Sequence, residues 1–77
     1  MRRIILEPRF NGTAIAEKRR LCGMSQDDLG VAVNVTRYQI IRIEKGESAS
    51  IERLAAICRV LDLPIQDVLM NSPVAAA

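Results

Sequence analysis

Histidine and tryptophan are absent from these 77 residues, and Phe10 and Tyr38 are the only aromatics. Without histidine, the side chain best suited to acid–base work near neutral pH is missing. Cys22 and Cys58 stand far apart, without the paired spacing of a zinc site. Asp27–Asp28 is no catalytic dyad, because adjacent residues on a helix do not face each other. With no phosphate-cradling glycine loop and no nucleophile–base set either, the chain reads as a non-enzyme with no cofactor and no metal. No apolar run approaches the ~18 residues of a membrane span, and the opening "MRRIILEP" is too short for a signal peptide. The expectation is a cytoplasmic protein with no membrane partner, its two cysteines reduced and buried at apolar helical positions.

Aliphatic side chains dominate what is there. Hydrophobic residues make up 49% of the chain against 3% aromatic, which suits packed helices better than a sheet. A chain this short supports one small domain. Its net charge of +2 is unevenly spread: residues 1–45 carry nine basic and five acidic groups, and the remainder two and four. A basic front half suits an anionic partner, although a solvated charged face is the ordinary explanation of such a bias.

Start and stop signals divide the chain. Asn11–Gly12–Thr13 opens a helix that Gly23 ends, with Ile15, Arg19 and Cys22 on one face. Ser25 with Asp28 three residues on has capping-box spacing and starts a second helix, Leu29 and Val33 facing inward. Thr36 and Gln39 repeat the spacing, and Gly46 ends that third helix. Ser50 begins a fourth, with the stripe Leu54, Ile57, Cys58 and Leu61. Pro64 suits the first turn of a short fifth running through Met70. The predicted architecture is all-α with five helices. Residues 1–10 form an N-terminal extension (a short strand, an arm or a dimer contact), 11–70 the domain, and 71–77 a frayed tail.

The third helix is the informative one. "NVTRYQIIRIEKG" mixes three isoleucines with Arg37, Gln39, Arg42 and Lys45. At about 100° per residue, Arg37, Tyr38, Ile41, Arg42 and Lys45 fall on one side, while Ile40 and Ile43 face the other. Ile40 and Ile43 are therefore core anchors, and the opposite face is cationic with hydrogen-bonding capacity. Such a face suits the major groove, where arginine forks onto guanine and an apolar side chain meets a thymine methyl. A charged face left to solvent is the plain alternative. Tyr38 and Ile41 argue against it, and so does the preceding segment.

That segment, "SQDDLGVAVNV", gives a capped short helix, then Asn34, then a second capped helix, the spacing of a helix-turn-helix. Asn34 is the best non-glycine residue for a turn needing positive φ. Gly30 lies where the two helices should cross closely, which makes its helix-interior cost of about 1 kcal/mol intelligible. "RRLCGMSQDDLGVAVNVTRYQIIRIEKGE" resembles the helix-turn-helix of the lambdoid phage repressor and Cro family, the Xre-like group of regulators, over about residues 11–70. The departures are Asn34 for the usual turn glycine, Gly30 for the usual alanine, Ile41 where the family is often polar, and the N-terminal extension.

The resemblance implies a five-helix lambda-repressor-like domain that binds a double-stranded DNA operator as a homodimer, the third helix in the major groove. It implies that Gln26 grips phosphate and that Arg37, Tyr38 and Arg42 read base edges, with Ile41 as a methyl contact. Thr36, Gln39 and Lys45 are better placed for phosphate. For Tyr38 and Ile41 a protein contact stays open. Arg19 and Glu44 match a family pair that bridges the first and third helices, a structural role. A repressor is the leading role, as phage repressor, restriction-modification controller or antitoxin. A helical adaptor acting through a toxin or other protein partner is the alternative. Dimer contacts are expected from Ile4–Leu6 and from Val68, Leu69 and Met70.

Overall fold

The computed structural model of the protein describes residues 9–69. Within them lie four α-helices: α1 Gly12–Leu21, α2 Gln26–Val33, α3 Arg37–Glu44 and α4 Ile51–Leu61. A single 3₁₀ turn, Ile65–Asp67, follows. The extension up to Pro8, with Ile4–Leu6, and the tail from Met70 onward lie outside the described residues.

Each helix begins where a polar side chain meets the free backbone donors of its first turn. Asn11 accepts from the Ala14 N–H and Ser50 from that of Arg53. Ser25 and Asp28 form a reciprocal capping box, and so do Thr36 and Gln39. The backbone and hydroxyl of Ser25 bond the Asp28 carboxyl and hold it below the usual carboxylate range. Asn34 ends α2 in the left-handed region at φ 62°, as its place in the turn requires.

The core is aliphatic. Ile15, Leu29, Ile40, Leu54, Ile57, Leu61 and Val68 are fully buried, drawing on all four helices and the final turn. Ile43 and Cys58 close the same cluster, and Val33 packs against it. Phe10, counted with the extension from sequence, is 7% exposed and also belongs to the core. Gly30 has the expected close approach: a Cβ there would lie 2.7 Å from the Val35 carbonyl oxygen.

Three expectations need correction. The fifth helix is one 3₁₀ turn, because the Val68 carbonyl accepts the Asn11 N–H at 2.7 Å while Phe10 and Leu69 form an antiparallel bridge. That carbonyl is lost to helix continuation. Val68 is a core residue and offers nothing to a dimer partner. Cys22 is exposed, since it caps α1 beyond the packed part of the helix and the chain turns away at Gly23, φ 73°. Both thiols are free, and burial pushes that of Cys58 up.

Candidate nucleic-acid interface

Two contacts hold α3 from behind. The Arg19 guanidinium on α1 donates from Nε to Glu44 Oε2 at 2.6 Å and from Nη2 to Oε1 at 3.3 Å. Its Nη1 donates to the Met24 carbonyl at 2.8 Å, so the guanidinium is bonded on three sides. The Arg19 and Glu44 side chains are only 9% and 8% exposed. This pair is structural, as the resemblance implied.

Gln26, at the first position of α2, joins the same cluster by donating from Nε2 to Glu44 Oε1 at 3.0 Å. The side chain is therefore braced inward. One amide N–H remains, together with the helix's first backbone donors, while Asp27 and Asp28 in the same turn disfavour an anion. Nothing in the sequence showed this brace.

On the outer side of α3, Arg37, Tyr38, Arg42 and Lys45 are all exposed, and Tyr38 is 66% exposed. Ile41 is half-buried between them. Ile40 and Ile43 are buried on the opposite side, so the helix is two-faced as its spacing required. Thr36 and Gln39 are exposed but already engaged. The Gln39 carbonyl accepts the Thr36 N–H at 3.0 Å, and the Thr36 hydroxyl accepts the Gln39 N–H at 3.1 Å. Capping leaves only the Gln39 amide nitrogen free for another partner.

Two features escaped the sequence reading. Glu47, just past the helix, accepts from Arg42 Nε at 2.8 Å, and the Arg42 Cζ stands 5.8 Å from the Tyr38 ring centroid. The hydrogen bond and charge of Glu47 raise the pKa of Arg42 above its ordinary value. Beside this pair an open cleft runs between α3 and α4, lined by Gln39, Arg42, Ser48, Ser50 and Arg53. Arg53 was detectable in principle: a cation in the first turn of a helix opposes the macrodipole and calls for a reason.

The model of the helix-turn-helix family matches residues 15–68. An uncharacterized HTH-type transcriptional regulator of Sinorhizobium medicae (strain WSM419) is 33% identical over 63 residues, 80% of this chain. The chain spans 45% of that relative's length. Among solved structures, the clp gene regulator ClgR of Corynebacterium glutamicum superposes with a TM-score of 0.68 at 28% identity, over 73% of this chain and 61% of that one. SinR, a master regulator for biofilm formation solved in complex with DNA, gives 0.65 at 26% identity over 71% and 90%. The lambda-repressor-like arrangement is the one these neighbours share. No helix among the described residues is long and apolar enough to cross a membrane.

Proposed function

The chain belongs to the helix-turn-helix family, and from that premise we propose a sequence-specific double-stranded DNA-binding transcriptional regulator, a cytoplasmic repressor working as a dimer. The observation that carries this reading is the outer face of α3. Arg37, Tyr38, Arg42 and Lys45 stand exposed on a helix whose other side is buried and whose C-terminal Glu44 is braced by two neighbouring elements. A rigid, cationic, hydrogen-bonding ridge fits the major groove.

In this reading Arg37 and Arg42 read base edges, Tyr38 and Ile41 add base contacts, and Lys45 takes a phosphate. The free amide N–H of Gln26 and that of Gln39 take phosphates. Thr36 acts through its cap, by fixing the start of α3. Binding should weaken steeply with salt, log K falling by about 0.9 per decade of salt for each phosphate neutralised. Arg37→Ala and Arg42→Ala should each cost about 1–3 kcal/mol on the preferred site and relax base choice, whereas Lys45→Ala weakens all sequences alike. Fluorescence anisotropy on cognate and random duplexes across a salt series checks both. A flat salt response would sink the DNA reading.

The dimer follows from reach. An eight-residue α3 is about 12 Å long and spans only a few base pairs. Pairing on half-sites about 34 Å apart supplies the missing affinity. With Val68 in the core, the contacts fall to the Ile4–Leu6 segment and to the end of the chain from Leu69 onward, Leu69 itself being half-buried. Deleting residues 1–7 should lower the sedimentation coefficient at concentrations where the full chain is dimeric, with helical content unchanged. Identical monomers in both cases would remove the segment from the interface.

A further inference from the structure

The backbone that ends α3 dictates where Glu47 sits. Gly46, at φ 78°, donates to the Ile43 carbonyl at 2.9 Å, and Glu47 donates from its backbone N–H to the Arg42 carbonyl at 3.1 Å. These are the two bonds of a Schellman stop, which sets the residue after the glycine against the residue a turn earlier in the helix. An apolar contact frequently occupies that place. Here it is an ion pair, Arg42 Nε to Glu47 Oε1 at 2.8 Å.

Two general effects disfavour an acid at this point. A carboxylate at a helix C-terminus meets the negative end of the dipole, and one beside a DNA-facing helix repels phosphate. Folding gains little in return, because the two side chains are 50% and 44% exposed and such pairs are weak in water. What the pair does is geometric. Glu47 takes Nε and so occupies one edge of the guanidinium, leaving the terminal Nη pair. The Tyr38 ring flanks the same group, its centroid 5.8 Å from the Arg42 Cζ.

We propose that Glu47 is a specificity-determining positioning residue: it holds Arg42 by Nε so that only the end-on pair of N–H groups is offered to a base. A freely rotating arginine reaches a phosphate or several base edges. One held this way presents a single fork, matched to the O6 and N7 of guanine. Glu47 therefore lowers binding to random DNA while sharpening choice at one base pair. This role rests on the DNA-reading function proposed above.

The test begins with the full chain selecting its preferred duplex from a randomised pool. Affinities for that duplex, its single-base variants and random DNA are then measured for wild type, Glu47→Ala, Glu47→Gln, Arg42→Ala and Arg42→Ala/Glu47→Ala. Glu47→Ala should bind random DNA more tightly and lose about 5-fold or more of the discrimination at one base pair, the low end of a bidentate contact. Glu47→Gln keeps an acceptor and should retain most of that discrimination. In the Arg42→Ala background, removing Glu47 should change base choice no further. In the free protein, the Arg42 Nε–H should give a resolved, slowly exchanging NMR signal that Glu47→Ala abolishes. An unchanged signal, unchanged discrimination, or an equal effect of Glu47→Ala without Arg42 would overturn this role alone. Wild-type protein that selects no sequence, with the Arg42 signal intact, would overturn the DNA reading and take this role with it.

Discussion

Glu44→Ala is expected to cost about 3–5 kcal/mol of folding stability, while Lys45→Ala, one residue on, stays within about 0.5 kcal/mol. The difference is one of facing. Glu44 accepts two bonds from Arg19 and a third from Gln26, in a place where both ion-pair partners are nine-tenths buried. Truncating it leaves the Arg19 guanidinium charged, buried and bonded only to the Met24 carbonyl. Such an uncompensated charge costs far more than the intact pair contributes, because the desolvation remains while the attraction is gone. Lys45 is the exposed C-cap and has no side-chain partner of this kind among the described residues. For a domain of this size the Glu44→Ala loss corresponds to roughly 12–40 °C in Tm, at about 4–8 °C per kcal/mol. Circular dichroism melts of the two variants decide it. Equal, small losses would mean that the pair is solvated in solution. Glu44→Gln should fall between the two, since an amide oxygen still accepts from Arg19 without neutralising it.

What could be read from the sequence was whatever a residue type demands of its own neighbourhood. Ser25 with Asp28 and Thr36 with Gln39 announced two helix starts, because a side-chain oxygen three residues from a free N–H has one obvious use. Asn34 marked a left-handed turn for the same local reason, and its φ of 62° follows. The period of α3 separated Ile40 and Ile43 from the arginines without any tertiary knowledge. Contacts closed by distant parts of the chain were not legible. The last helix was expected to continue through Met70. It stops because Asn11, from the other end of the domain, claims the Val68 carbonyl. The Gln26 brace and the Glu47 clamp depend on which way a long side chain turns, and spacing alone does not say. Asp62, which ends α4 at φ 56°, was missed because aspartate adopts this region less often than asparagine or glycine. The fold was thus more legible than the interface: caps and periodicity are local, whereas the groove-facing geometry is assembled from several elements.

Gly12→Ala is the second substitution expected to have a large effect, and the reason lies in a tertiary contact that local spacing does not reveal. As a start signal, Asn11–Gly12–Thr13 needed no glycine; alanine is the better helix former by about 1 kcal/mol. In the fold, the first turn of α1 lies against the last turn of α3, so that ends of opposite dipole sign meet. A Cβ at Gly12 would overlap the carbonyl oxygens of Ile43 and Glu44 and lie 2.7 Å from the Glu44 carbonyl carbon. All of these are backbone atoms. No side-chain rotation can relieve the overlap, so α1 must back away from α3. Gly12 and Arg19 are seven residues apart on one face of α1, and the same retreat strains the Arg19–Glu44 pair at 2.6 Å. Overpacking of this kind costs about 1–3 kcal/mol, and rigid backbone on both sides puts Gly12 at the upper end. Gly23→Ala is the informative control. A Cβ there meets nothing within 4 Å, so its cost comes only from the positive φ of 73°. That strain is about 1–2 kcal/mol. Chemical denaturation should therefore rank Gly12→Ala below Gly23→Ala. Because Gly12 and Glu44 share one interface, the double variant with Glu44→Ala should lose less than the sum of the two single losses. If Gly12→Ala proved neutral or stabilising, α1 and α3 would have to stand further apart in solution, and the rigid seating of the groove-facing helix would go with their close approach.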